Sequence, residues 1–345
     1  MTRAARIVAV AATLALIAAA CSGGGDAKDA NKSGSTTTTT KAMGVPVAPI
    51  TGLPDPTGVA QTRPLLSVKI ENTPEARPQT GLELADVVWN EVVEGQITRF
   101  LAMYQSRTTD VVGPIRSVRK TDPLIVWPVG GIFAYSGGAP GIVAAIREAP
   151  VKLVDEHSAG AAMFRDRQQR APHNLYGHPD ALWAFGGAPV PPPPLFWYLA
   201  TGNKPKGTLT MSAAIAYRGV YQVGYTWDET SGTWLRTTNG RRFLARSGVQ
   251  IAPQNVIIIP VTYTGGVVNE GAEAQIVGRG RAIILSGGTV IDGVWVRHDK
   301  TQPMELRTAD ETPIRLVPGS TWVELPDVSY PITFVTPPTP ATTKG

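Results

Sequence analysis

Apolar residues fall along this chain in three patterns. The first is one unbroken run from Ile7 to Ala20, preceded by Arg3 and Arg6. The second, from Val45 to about Gly187, mixes short β-type runs with alanine-rich helical ones. Pro64–Glu71 reads as a buried strand, Val87–Glu94 and Ile97–Ser106 as two strands joined at Gly95-Gln96, and Ile132–Gly137 as another. Gly141–Pro150 and Pro179–Gly186 read as short helices, closed by proline and by Gly186-Gly187. The third pattern begins near Thr208. Here Tyr221, Val223, Tyr225 and Trp227 alternate with polar or small residues, as on a half-buried strand. Strand-type runs recur at Asn255–Thr264, Gly280–Ser286, Val294–Arg297 and Ile314–Pro318, with turn signals at Asp228–Thr233 and Asn239-Gly240.

These patterns predict an α+β protein. An α/β-type N-terminal domain over residues 45–187 precedes a smaller, mainly antiparallel β domain over 208–330. Four consecutive prolines from Pro191 make 188–207 a stiff linker, and 331–345 reads as a disordered tail.

Composition adds an address. The single cysteine, Cys21, directly follows the first apolar run and precedes Ser22-Gly-Gly-Gly25. A basic start, a short apolar core and small residues before the junction make residues 1–20 a secretory signal. A cysteine at that junction resembles the bacterial lipobox, whose thiol is acylated; Ala18 stands where leucine is usual. The run is too short and small-sided for a stable membrane span. Ser22–Gly44 is polar and small, so 21–44 reads as a flexible tether. The expected location is the extracytoplasmic face of a bacterial membrane, held by lipid on Cys21. With that thiol lipidated, no disulfide or cysteine-based zinc site remains. The net charge of +5 falls when Arg3 and Arg6 leave with the signal. No Lys/Arg stripe is interleaved with aromatics, so nucleic acid is not an expected partner.

Candidate chemistry gathers in the first domain. Glu71-Asn72 closes a strand and leads to Arg77. Asp86, Glu91 and Glu94 surround the next strand, and Arg99 lies early on its partner. With a two-residue turn at Gly95-Gln96, Val92 would face Arg99 and Glu94 would be its diagonal neighbour. Arg116, Arg119 and Lys120 follow a Gly-Pro turn and would fall on neighbouring positions of a helical turn. Arginine forks bind carboxylate or phosphate bidentately, so this set forms an anion pocket or, alternatively, an internal salt-bridge network. His173, beside Asn174, is an acid/base candidate or a structural histidine in a proline turn. The spacing of His157, His173 and His178 matches no compact ligand motif, and neither metal nor cofactor is expected. Trp227, Trp234, Trp295 and Trp322 would line a sugar-binding face or fill a core.

Several of these segments recur together in a known family. Ile70-Glu-Asn72, Arg77–Leu82, Val93–Phe100, Val112–Arg119 and Arg170–Tyr176 resemble the YerB-type bacterial lipoproteins, which carry the DUF3048 domain of unknown function. Tyr225, Trp234-Leu-Arg236, Trp295-Val-Arg297 and Gly319-Ser-Thr-Trp322 resemble that family's companion C-terminal domain. The resemblance implies a lipoprotein of two domains and no particular reaction.

Two functions with a defined site are therefore expected to compete, beside a third option of a purely structural lipoprotein that spaces other proteins. One is an anchored envelope protein that binds an anionic cell-wall polymer or an envelope protein through Glu71, Asn72, Arg77, Asp86, Glu94, Arg99, Arg116, Arg119, His173 and Asn174. The other is a cell-wall glycan or phosphodiester hydrolase or transferase, with Glu94 or His173 as acid/base and Arg99, Arg116 and Arg119 stabilising negative charge.

Overall fold

The computed structural model describes residues 45–186, 190–217, 221–265 and 271–337. The expected signal and tether, with Cys21, lie outside the described residues, as does the tail from 338.

The β-type runs of the first region form β1 (Leu66–Glu71), β2 (Val87–Val92), β3 (Thr98–Tyr104), β4 (Ile132–Tyr135) and β5 (Lys152–Asp155). The second region supplies β6 (Ser212–Tyr217), β7 (Tyr221–Asp228), β8 (Thr233–Thr238), β9 (Arg241–Arg242), β10 (Asn255–Ile258), β11 (Gly278–Ser286), β12 (Thr289–Arg297), β13 (Glu305–Arg307), β14 (Thr321–Leu325) and β15 (Ile332–Val335). The last of these lies inside the stretch expected to be disordered. It is an edge strand, paired antiparallel to β6.

A central mixed sheet runs in the order β13-β12-β11-β10-β14-β2-β3-β1-β4-β5. The sheet does not stop at the proline-rich stretch: β14 pairs in parallel with β2 on one side and with β10 on the other. The two segments expected as separate domains thus share one sheet, and from Gly44 onward the chain forms one compact unit. A second sheet, β9-β8-β7-β6-β15, is antiparallel throughout.

Helix is scarcer than the α/β reading of the first region implied. The three helices that matter here, α1 (Asp122–Val126), α2 (Pro140–Arg147) and α3 (Pro179–Trp183), are each eight residues or shorter. Proline at the first or second position starts all three, where its fixed φ and missing N–H cost nothing.

Alternation sets which face each side chain covers. Trp89, Leu101, Met103, Phe133 and Val323 point to one face, where Ile125 and Val126 of α1 and Ile142 and Ile146 of α2 bury them. Val256, Ile258, Ile283 and Leu285 point to the other, against Ile215, Tyr225 and Trp234 of the second sheet. That second interface carries a buried polar knot. Glu324 accepts hydrogen bonds from Asn90, Tyr217 and Tyr225 at 2.6, 2.6 and 2.5 Å. The guanidinium of Arg236 lies 3.8 Å from the same carboxylate and 4.2–5.6 Å from the ring centres of Phe243, Trp322 and Phe100. Trp234, Trp295 and Trp322 are buried, and Trp227 packs 5.1 Å from Trp234, so these tryptophans are core rather than a sugar-binding face.

The docking of β4 beside β1 depends on Gly131. Its φ is +83°, and a Cβ there would stand 2.2 Å from the Leu65 carbonyl oxygen. Only glycine tolerates both the left-handed conformation and the close approach.

Candidate functional site

Strands β1, β2, β4, β5, β10 and β14 all run in one direction, so their carboxyl ends lie along one edge of the sheet. Glu71 ends β1, Glu94 follows β2, and antiparallel β3 begins at that edge with Arg99 as its second residue. Open sheets place ligands at such edges, beyond the strand ends.

The hairpin between β2 and β3 differs from the expected two-residue turn. Glu91, not Val92, lies opposite Arg99, and Val92 lies opposite Thr98. Gly95 and Gln96 both take left-handed φ values, 70° and 59°, inside a longer connection closed by Val93 N–H to the Ile97 carbonyl. Glu94 nevertheless meets Arg99, because the loop folds it back over the strand end.

The helical turn expected for Arg116–Lys120 is also absent. Residues 115–118 run extended between β1 and β4. Arg116 N–H donates to the Lys69 carbonyl, and the Arg116 carbonyl accepts from Ser136 N–H. This threading places Arg116 beside Glu71 and Arg119 beside Glu94.

Two linked ion clusters result. In the first, Glu71 is buried, with Oε2 2.9 Å from His173 Nδ1 and Oε1 3.4 Å from Arg116 Nε. A carboxylate only accepts, so Nδ1 of His173 carries the proton and Nε2 is the basic ring nitrogen. In the second, Arg99 Nη2 donates to Glu94 Oε1 at 2.9 Å, and Arg119 donates through Nε to Oε2 at 2.6 Å and through Nη2 to Oε1. Burial would raise the Glu94 carboxyl, but the Arg119 hydrogen bonds and the two arginine charges outweigh it and hold it at about 2. Burial, then the charge of Arg119, brings Arg99 down to about 10, still charged at neutral pH. Glu71 and Arg99 are register partners on β1 and β3, which joins the clusters into one row. The side chains of His173, Arg116 and Glu94 are 21%, 22% and 26% exposed, above a floor of Glu71 and Arg99.

The remaining candidates have other work. Asn72 donates to Thr98 Oγ1 at 2.8 Å, and its Oδ1 and carbonyl accept from Arg77 at 3.1 and 2.7 Å, so it ties the loop after β1 to β3. Asn174 accepts from Arg165 and donates to the Asp166 carbonyl, closing the turn that carries His173. Asp86 is not brought to this edge. It precedes β2, so the six residues of that strand separate it from Glu94 by about 20 Å. There its carboxylate accepts from Gln105 N–H, Ser106 N–H and Ser106 Oγ.

Glu91, expected in the internal salt-bridge network with the arginines, belongs instead to a layer beneath whose Lys69 and Asp122 the sequence reading did not single out. Lys69 Nζ donates to Glu91 Oε1 and, at 2.8 Å, to Asp122 Oδ1, with all three side chains fully buried. Asp122 Oδ2 also accepts from Arg119 N–H at 2.6 Å. Burial, then the charge of Asp122, pushes the Glu91 carboxyl up to about 7 despite Lys69. The available signal was one lysine inside the strand-like run Leu65–Ile70, charged where its neighbours are apolar or small. Among the described residues, no group of three His, Cys, Asp or Glu side chains is placed to hold a metal ion. No described helix is long and apolar enough to cross a membrane.

Residues 50–188 match the family described as protein of unknown function (DUF3048), N-terminal domain, and residues 213–323 match its C-terminal domain. The chain is 27% identical over 291 residues to the Bacillus subtilis protein named "Putative lipoprotein YerB", covering 81% of this chain and 86% of that one. It also resembles the crystal structure of the YerB protein from Bacillus subtilis, with a TM-score of 0.72 and 25% identity over 84% of this chain and 99% of that one. Both family domains are thus present in order along one chain, on a fold shared with a solved relative, and the chain belongs to the DUF3048 family.

Proposed function

We propose that this protein is a lipid-anchored component of the bacterial cell envelope that binds an anionic envelope ligand at the edge formed by Arg116, Glu71 and His173. The anchor reading rests on Cys21 behind its signal-like run and on the name of the Bacillus subtilis relative. The observation that carries the binding reading is the contrast between the arginines. Glu94 takes Arg99 and Arg119 into short, charge-assisted hydrogen bonds, whereas Arg116 meets Glu71 only through Nε at 3.4 Å. Its two terminal NH2 groups make no hydrogen bond among the described residues, and they are the donors that grip a carboxylate or phosphate. Isolated cell-wall polymer should sediment with the detergent-purified chain, and Arg116→Gln should reduce retention about tenfold, the scale of one lost charge-assisted contact. Retention equal to wild type would overturn the assignment of Arg116.

The Glu71–His173 pair supports a second reading, proton transfer from Nε2. Of the two acid/base candidates, Glu94 held at about 2 is a weak base and carries no proton at neutral pH, which leaves His173. Glu71 would act as the positioning residue that fixes the tautomer. If the protein cleaves a chromogenic phosphodiester, His173→Gln should lower kcat by about 100-fold or more. Turnover that survives this change would remove the histidine from the reaction.

A further inference from the structure

Most large apolar side chains of this protein are buried, but a local group at the start of the described residues is not. Val45 and Val47 are 58% and 52% exposed, and Leu53 and Trp197 are exposed as well. An antiparallel bridge sets Val47 opposite Pro54. The turn between them closes through Ala48 N–H to the Leu53 carbonyl at 2.8 Å and Gly52 N–H to the Ala48 carbonyl at 2.9 Å. This turn lies against Tyr198, whose hydroxyl donates to the Ile50 carbonyl. Gly52 has a φ of +67°, and a Cβ there would stand 2.3 Å from the Tyr198 ring, so glycine permits the close fit.

Strand alternation turns Trp197 outward. Leu195 and Phe196 are buried in the core, and Trp197 and Tyr198 pair in parallel with Arg315 and Leu316. Tyr198 packs against the core, whereas Trp197 stays 55% exposed. Val47 and Trp197 line one cleft of about 390 Å³, together with Pro49, Pro194 and Arg315, and none of its lining residues is acidic. The Arg315 guanidinium lies 5.6 Å from the centre of the Trp197 ring and has no ion-pair partner among the described residues. The cleft on the other side of Trp197 holds one acid, Glu305, which accepts from Arg307 at 2.9 Å. The first cleft offers two hydroxyls, Thr201 and the already bonded Tyr198, so a sugar ring would leave most of its own hydroxyls without partners.

We propose that this face docks on the surface of an anionic phospholipid bilayer, with Trp197, Val45 and Val47 at headgroup level and Arg315 on a lipid phosphate. The amphipathic ring of tryptophan suits the membrane–water interface, and the arginine fork suits phosphate. The face lies where the chain from the proposed anchor joins the fold. Val45 stands 24 positions after Cys21, a reach of at most about 80 Å at full extension. Held within that range of a bilayer, the face meets lipid at an effective concentration on the order of millimolar, so a contact too weak to recruit a free protein is occupied. That proximity rests on the anchor reading; the chemistry of the face does not.

The test is co-sedimentation of Gly44–Gly345, the compact unit without the first apolar run and Cys21, with vesicles of mixed phosphatidylcholine and phosphatidylglycerol. Saturable binding that weakens on pure phosphatidylcholine is expected. Trp197→Ser should lower the partition coefficient about tenfold, the scale of burying one large apolar side chain. Arg315→Gln should lower it about fivefold on the anionic vesicles alone. Both side chains are exposed, so both variants should keep the parental circular dichroism spectrum. Arg116→Gln should bind as the parent does, which separates this face from the strand edge. No vesicle binding, parental partition in Trp197→Ser, or capture of a peptidoglycan oligosaccharide through Trp197 in place of vesicles would each overturn the proposal. Palmitate labelling of the full chain, lost in Cys21→Ser, checks the anchor by itself. Vesicle binding that persists where labelling fails upholds the face and removes only the anchor.

Discussion

Lys69→Met should lower the unfolding free energy by about 3–5 kcal/mol, the usual cost of removing one partner from a buried ion pair. Methionine keeps the unbranched stem and most of the volume, so little of this loss is cavity formation. What disappears is the cation that bridges Glu91 and Asp122 in a layer where all three side chains are fully buried. Two carboxyls then face each other without water, and at least one must take up a proton to remain inside. The loss also reaches the site. Asp122 holds Arg119 N–H at 2.6 Å, and Arg119 in turn holds Glu94, so movement of Asp122 is transmitted to the strand edge. Neutralising the whole group, with Glu91→Gln and Asp122→Asn added, should restore much of the stability, since an uncharged buried trio carries no desolvated charge. Urea denaturation measures both. A loss below about 1 kcal/mol in the single variant, within the range of surface ion pairs, would show that the buried cation contributes little.

Stability should fall as pH rises from about 4.5 to about 7, the reverse of the behaviour of most carboxylates. The cause is Glu91, whose carboxyl is pushed from 4.5 up to about 7 by burial and by Asp122. In that window the folded chain holds a proton that the unfolded chain has released, so the contribution is complete below the unfolded value and is lost through the folded one. Glu94 has the opposite sign. Held at about 2 instead of 4.5, it stabilises the fold above 4.5, and that contribution disappears as pH falls towards 2. Together the two glutamates place a stability maximum near the ordinary carboxylate range. Glu91→Gln should flatten the fall on the neutral side and leave the acid limb unchanged. Urea midpoints followed across both windows test this, and an unchanged neutral-side slope in Glu91→Gln would remove that residue as its source.

The same two layers explain how this chain holds so many charges at one edge. Glu94 and its two arginines are internally satisfied and hold the β2–β3 connection over the sheet. Arg116 and His173 share Glu71, and both keep part of their side chain in solvent. Of the two alternatives posed for the sequence, the salt-bridge network forms at Glu94 with Arg99 and Arg119, and the proposed anion site is the adjacent part of the same row, at Arg116 and His173. Mutations in the first part should appear as lost stability, and in the second as lost binding.

Local chemistry was legible without a structure. The strands at Leu66–Glu71, Val87–Val92, Thr98–Tyr104 and Ile132–Tyr135 and the helices expected over Gly141–Pro150 and Pro179–Gly186 follow from periodicity and local stop signals, which act within a few residues; the first of these helices in fact starts at Pro140 and ends at Arg147. The signal-like run before Cys21 and the charged residues at strand ends are equally local. The long-range pairings were not legible. The hydrogen bond from His173 to Glu71 spans 102 positions, and that from Asn90 to Glu324 spans 234. Neither is favoured by sequence spacing: the first needs the 170–176 turn folded back onto the end of β1, and the second needs β2 paired with β14 across the proline-rich stretch. The β2–β3 register was missed by one residue, because Gln96 adopts a left-handed conformation that its residue type does not announce. Lys69 inside an apolar strand hinted at a buried partner, but Glu91 and Asp122 reach it only through the tertiary packing. Sequence alone determined the elements, the expected address and the inventory of charges. Tertiary structure decided which charges neutralise one another and which remain open to solvent, because that outcome depends on distances of a few ångströms between strands far apart in the chain.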